Sequence, residues 1–309
     1  ISLSNNDGNT SNTVFGKTAF TNAAGAVLGN VGADYNTVIG ELAMGSADTT
    51  TATDNVAIGY YSLNVATSAS SNVSIGSTAM RVMATGADNV GVGQDAIKVS
   101  TAGSFMTIVG SKALAHANHT ANDGTVAIGY KAAYEKVVAS GAQYTGASVH
   151  IGYASGAAQT TGANNTSVGH ATMGGNVSGT ALTGNDNTVM GYSAGYAMSG
   201  ASSSNTIVGS NSGLALTTSS NNVTIGHDSF KAVVDACNSN VSIGVQSMIS
   251  VDRGSHADAT VNGNIAIGYN ALAGGDFASA DKDLVGNIAI GKNTLDATGA
   301  NAQTGTVAI

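Results

Sequence analysis

His116 and His119 stand three residues apart, a spacing that could supply half of a zinc site. No cysteine and no second histidine pair accompanies them, so they read as a pair on a solvated loop. His170 and His227 each directly follow a glycine of one repeated motif, but the motif copies that hold them are not consecutive. Asp34, Asp54, Asp88 and Asp186 could in principle furnish the two carboxylates of a glycosidase. Each lies near the start of a motif copy, however, where aspartate serves as a turn residue. Cys237 is the single cysteine, which rules out an intrachain disulfide. The side chains capable of chemistry are therefore scattered, and the expectation is a chain with no enzymatic activity, no catalytic residues, no metal and no cofactor.

What surrounds these residues is more informative. Charged residues make up 9% of the 309, about a third of the usual share, and 42 glycines accompany an excess of Ala, Ser, Thr and Asn. There is no proline or tryptophan. Aliphatic residues are too plentiful for a disordered linker, while aromatics are too few for a thick globular core. The chain can bury only thin layers, many times over. A net charge of −8, with ten Lys and Arg in all, offers no basic stripe for phosphates, so nucleic acid is not expected as a partner. No apolar run reaches the roughly 18 residues needed to span a bilayer, so this segment is not expected to insert into a membrane. Ile1 opens without a leader-like pattern and the last motif copy is cut off at Ile309, which reads as an internal fragment of a longer chain.

The motif is a nine-residue cassette: Asn, a β-branched residue, any residue, an apolar residue, Gly, two variable residues, a small residue, and an apolar residue or Gly. Clear copies are NVAIGYYSL from Asn55 to Leu63, NVSIGSTAM from Asn72 to Met80 and NIAIGYNAL from Asn264 to Leu272. Fifteen complete copies run from the one around Gly16 to the one around Gly291, with their glycines 17 to 24 residues apart. A minimum spacing with longer variants fits a coil of fixed circumference carrying inserted loops, and it predicts a single solenoid over 1–309 of about fifteen turns. At the roughly 4.8 Å between hydrogen-bonded strands, fifteen steps would make a rod of about 70 Å. Each cassette reads as a short strand, a bend at the glycine and a second short strand. Twelve of the fifteen begin with Asn, and stacked Asn side chains can form an amide ladder along the coil.

Each turn holds only a few aliphatic side chains against the cost of ordering its backbone, so more surface must be buried elsewhere. Both faces of the strand carry apolar or small groups. One face would line the coil interior and the other would meet neighbouring chains, which implies a homo-oligomer, with three chains the natural count for a closed fibre.

NVAIGYYSL, NVSIGSTAM, TVAIGYKAA, NIAIGYNAL and NIAIGKNTL resemble the head repeats of YadA-type trimeric autotransporter adhesins and similar repeats of bacteriophage tail fibres. The resemblance covers essentially Asn12 to Ile309. It implies an all-β, parallel β-roll or β-helix solenoid, left-handed, assembled as a homotrimer and serving attachment. Longer, irregular turns bring the chain closer to phage fibres. The expected role is thus a structural and adhesive extracellular fibre, most simply a tail-fibre segment on the virion surface that contacts a host glycan or protein. The alternatives are an adhesin head on a bacterial cell surface, a left-handed β-helix acyltransferase and a polysaccharide-degrading tailspike. Acyltransferase helices repeat an aliphatic residue every six positions, yet Asn64 stands six beyond Ile58 and Arg81 six beyond Ile75. Gly274, Gly275 and Asp276 are too short a match to a calcium-binding nonapeptide repeat.

Two sets of residues remain for recognition. Tyr60, Tyr130, Tyr153, Tyr192 and Tyr269 each directly follow a cassette glycine and are candidate contacts for surface glycans, by stacking on sugar rings. Four long inserts, Tyr134 to Ala147, Gly174 to Gly184, Ser250 to Gly263 and Ala273 to Gly286, are candidate receptor loops. The last two carry Arg253, His256, Phe277, Asp281 and Lys282.

Overall fold

The computed structural model describes residues 11–21, 32–45, 51–116, 123–134, 147–174, 181–232, 237–251, 260–274, 283–296 and 303–309. It divides into two compact units, Ile1–Ile151 and Gly152–Ile309. Each is a parallel β-solenoid, and no helix occurs among the described residues.

In the first unit the strands are β1 (Thr13–Phe15), β2 (Thr37–Ile39), β3 (Val56–Ile58), β4 (Val73–Ile75), β5 (Val90–Val92), β6 (Thr107–Val109), β7 (Val126–Ile128) and β8 (Val149–Ile151). Each pairs in parallel with the next, with equivalent cassette residues opposite one another, so Val56 faces Val73 and Ile58 faces Ile75. The second unit repeats the plan with β9 (Thr166–Val168), β10 (Thr188–Met190), β11 (Thr206–Val208), β12 (Val223–Ile225), β13 (Val241–Ile243), β15 (Ile265–Ile267), β17 (Ile288–Ile290) and β19 (Val307–Ala308). A separate small parallel sheet consists of β14 (Val261–Asn262), β16 (Leu284–Val285) and β18 (Gln303–Thr304).

Strand alternation divides the side chains as the sequence predicts. The middle residue points inward and is fully buried, as at Val38, Ala57, Ile108, Val189, Ile207 and Ala266. The polar middle residues Ser74, Ser167, Thr224 and Ser242 are satisfied from the turn before. Ser62 Oγ bonds the Ser74 carbonyl and hydroxyl, and Ser212 treats Thr224 in the same way. Ser155 with Ser167 and Ser229 with Ser242 repeat the arrangement. The small residue three past each glycine is thus where the turn folds over the core.

The cassette glycines are required twice over. Their φ values, from +126° at Gly152 to +144° at Gly16, disfavour any L side chain. A Cβ on Gly59 would also lie 2.5 Å from the Gly76 carbonyl oxygen, and one on Gly226 would lie 2.4 Å from that of Gly244.

Beyond the glycine the structure differs from the expected second strand. The residues two and four past it are left-handed, including bulky ones such as Leu42 (φ 57°), Met44 (φ 45°), Tyr61 (φ 54°) and Ile97 (φ 49°). Left-handed backbone costs about 1–2 kcal/mol per non-glycine residue. Hydrogen bonds to both neighbouring turns offset it: Tyr61 N–H donates to the Glu41 carbonyl below, and Leu63 N–H to the Ala79 carbonyl above. The segment is a turn stacked on turns.

Two glycines of the second unit separate these requirements. Gly226→Ala should cost about 3 kcal/mol or more, because strain and a backbone clash coincide. Gly263→Asn should cost about 1 kcal/mol or less, since Gly263 has open space around it and Asn221 holds the same turn position at φ 60°. Thermal or denaturant unfolding of the two variants measures the difference.

Candidate functional site: the outward columns after the glycine

Parallel in-register pairing places equivalent residues of successive turns above one another, so the outer surface consists of columns, each with its own chemistry. The first column is internal and structural. Asn12, Asn36, Asn55, Asn72 and Asn89 form one amide ladder, and Asn165, Asn187, Asn205, Asn222, Asn240, Asn264 and Asn287 form another. All are buried. The Asn55 amide oxygen accepts from both the main-chain N–H and the Nδ2 of Asn72, at 3.1 and 3.0 Å. Asn55 Nδ2 in turn donates to Asn36 Oδ1 and to the Ala69 carbonyl. The predicted ladder is present, and a ligand has no access to it.

A second polar ladder, which sequence reasoning missed, runs two residues ahead of the first. Asn185 Oδ1 accepts Ala163 N–H, Ser203 Oγ accepts Asn185 N–H, Ser220 Oγ accepts Ser203 N–H, Asn238 Oδ1 accepts Ser220 N–H and Asn262 Oδ1 accepts Asn238 N–H. Its signal was present as Asn or Ser at a fixed distance from the ladder Asn, masked by generally Ser-rich surroundings.

The column directly after the glycine faces outward, as expected. Tyr60, Tyr130, Tyr153, Tyr192 and Tyr269 are all exposed. Sugar stacking needs a free ring face, and their neighbours limit it. The His170 imidazole lies between Tyr153 and Tyr192, with ring centroids 4.8 and 5.2 Å away and near-parallel planes. His170 therefore stacks with the tyrosines of the adjacent turns. Tyr60 meets Tyr61 edge-on at 4.5 Å, Lys131 sits over Tyr130 and Lys292 over Tyr269. What these rings offer is mixed aromatic and cationic surface.

Of the histidine pair, His116 packs edge-on against Tyr134 at 4.8 Å, while His119 lies outside the described residues. His227 Nδ1 lies 3.5 Å from Asp228. Asp54, Asp88 and Asp186 are left-handed turn residues just before ladder asparagines, matching the turn role read from sequence. No group of three His, Cys, Asp or Glu suited to a metal ion occurs among the described residues. Arg253, His256, Phe277, Asp281 and Lys282 lie outside the described residues, as do Gly275 and Asp276. Among the described residues no helix is long and apolar enough to cross a membrane.

Two carboxylates recur at one register. Asp95 and Asp228 each stand two past a glycine and pair with a lysine three residues on, Lys98 and Lys231, both at 3.1 Å. Burial by itself would raise both pKa values. Hydrogen bonds from Thr78 and Lys98 to Asp95, and from Lys231 and Asn211 to Asp228, outweigh it together with the nearby positive charges. Both acids are held below the ordinary value.

No family model matches the chain, and neither a curated protein nor a solved structure does so. The fold itself, a parallel β-solenoid, fits the β-roll repeats that the cassettes resemble.

A depressed folded-state pKa contributes stability above the unfolded value and loses it as pH falls through the folded one. Asp228→Asn should therefore be less stable than the parent at pH 7, by at most about 1 kcal/mol, with the gap closing as pH falls below the unfolded aspartate value of about 3.9 and through the lower folded one. Paired unfolding curves across pH test this.

Proposed function

We propose that this chain is a structural and adhesive segment of an extracellular fibre, assembled from three copies of itself and attaching to a cell surface. The observation that carries the reading is the outer face of the strand ladder. Val73 and Ile75, Val126 and Ile128, Val223 and Ile225, Ile265 and Ile267, and Ile288 and Ile290 present β-branched side chains turn after turn, all half-buried or exposed in the single chain. Both faces of a parallel sheet are ordinarily covered. A contiguous apolar face of this kind marks an interaction surface. Because it repeats with every turn, a second copy in the same register matches it turn by turn within each unit, and closed symmetry then limits the assembly.

The phage tail fibre is the owner we favour, on the strength of the long, irregular inserts in the sequence. On this reading the chain is one third of a left-handed β-roll trimer on the virion surface. Attachment, without bond cleavage, suits a chain whose ordered positions are occupied in building the coil. The receptor is a host glycan or protein met by the outward columns and the four inserts.

Sedimentation equilibrium provides the test. We expect a mass three times the 30.2 kDa of one chain, and a shift to 30.2 kDa for a variant carrying Ile75→Glu and Ile128→Glu with unchanged far-UV circular dichroism. A parent chain that sediments at 30.2 kDa contradicts the proposal.

A further inference from the structure

Ten lysines and arginines serve the entire chain, and four of them, Arg81, Lys98, Lys112 and Lys131, fall on four consecutive turns of the first unit. Lys112 and Lys131 stand two past their glycines, and Arg81 and Lys98 five past theirs. These two positions share one surface, because Asp95 at the first reaches Lys98 at the second within 3.1 Å. The turns are stacked directly: Lys112 N–H donates to the Gln94 carbonyl and Lys131 N–H to the Ser111 carbonyl. One cation per turn, at the roughly 4.8 Å strand spacing, makes a basic row running along the coil.

Aromatic rings flank the row. The Arg81 guanidinium lies 5.7 Å from the Tyr61 ring centre, and Lys131 Nζ lies 5.6 Å from Tyr130 and 4.9 Å from Tyr134. The exposed His116 sits beside Tyr134. Within the row the one described carboxylate is Asp95, already engaged by Thr78 and Lys98. Asp88 and Asp123 lie ahead of their strands, at the end opposite the cations, and Asp123 accepts the Ser104 N–H.

We infer that this row binds a linear anionic polysaccharide lying along the coil axis, its carboxylates or phosphates on Arg81, Lys98, Lys112 and Lys131 and its sugars beside the cluster of Lys131, Tyr130 and Tyr134. A single small anion would use one step of a four-step row, whereas a polymer with regularly spaced charges engages all of it. Sugars with an anionic substituent suit a surface that alternates cations with aromatic rings. The inference rests on the surface-attachment reading and gives the receptor a chemical class.

The parent chain is titrated at low salt with polygalacturonate, a phosphodiester-linked mannan, neutral dextran and a single-stranded oligothymidine. We expect one of the two anionic glycans to bind, with affinity falling as salt rises, and dextran to be ignored. The double variant Lys112→Asn, Lys131→Asn should lose about ten-fold or more in affinity. Its fold is secure, because Asn211, Asn270 and Asn293 already occupy this position with φ of 53°, 51° and 57°. Lys231→Asn, in the second unit, removes a positive charge that is already paired with Asp228 and should leave binding unchanged. Binding of neither glycan, an equal loss in both variants, or tighter binding of the oligothymidine overturns the inference. Labelled chain that holds to host cells while ignoring both polymers overturns it and leaves attachment standing. Chain that holds to neither removes the attachment reading as well.

Discussion

Stacked asparagines set the register in five turns of the first unit and in seven of the second, and the surface columns depend on that register. A primary amide suits the position because its one oxygen can accept two hydrogen bonds and its nitrogen can donate two. Asn222 uses all of this: its oxygen accepts the N–H and Nδ2 of Asn240, and its nitrogen donates to Asn205 Oδ1 and the Cys237 carbonyl. These groups are buried, so each bond left unmade would incur a full desolvation cost. The ladder thereby fixes where a strand that follows one of its asparagines begins, whatever the length of the loop before it. Glycine spacings of 17 to 24 residues can coexist in one coil for that reason.

Once the register is fixed, the glycine column brings successive turns together, and the turn that follows becomes left-handed at alternate residues. Its strain is carried by hydrogen bonds to the turns above and below. An isolated copy would lack them, and the repeat is stable only as an array. The same stacking converts sequence into surface. A residue type that recurs at one cassette position becomes a column, giving the apolar face of the strands, the Tyr153, His170 and Tyr192 stack and the cationic row of the first unit.

The sequence made the strand, the glycine, the small residue three past it and the Asn ladder legible, because each is repeated and each answers a local steric or hydrogen-bonding demand. The left-handed turn was not legible. Leu42, Tyr61 and Ile97 are poor candidates for positive φ by propensity, and only bonds to other turns hold them there. Polar pairing inside the coil also escaped notice, although Ser62, Ser155, Ser212 and Ser229 each precede a turn whose middle strand residue is Ser or Thr. The outward sites were hidden by irregular spacing. Arg81, Lys98, Lys112 and Lys131 look scattered along the chain, and counting each from its own glycine puts them at two positions, two and five past it.

The most direct test of this account is the stability of an Asn222→Asp variant as a function of pH, measured against the parent. The new carboxylate would face Asn205 Oδ1 and the Cys237 carbonyl, two acceptors, with no proton to offer. Burial and those neighbours should raise its folded-state pKa above the unfolded value of about 3.9. The proton then stabilises the folded form, fully below that unfolded value and progressively less as pH rises through the folded one. The account predicts a loss of about 3 kcal/mol or more at pH 7, partly recovered near pH 4. A variant as stable as the parent at pH 7, or one whose deficit is the same at both pH values, would contradict it.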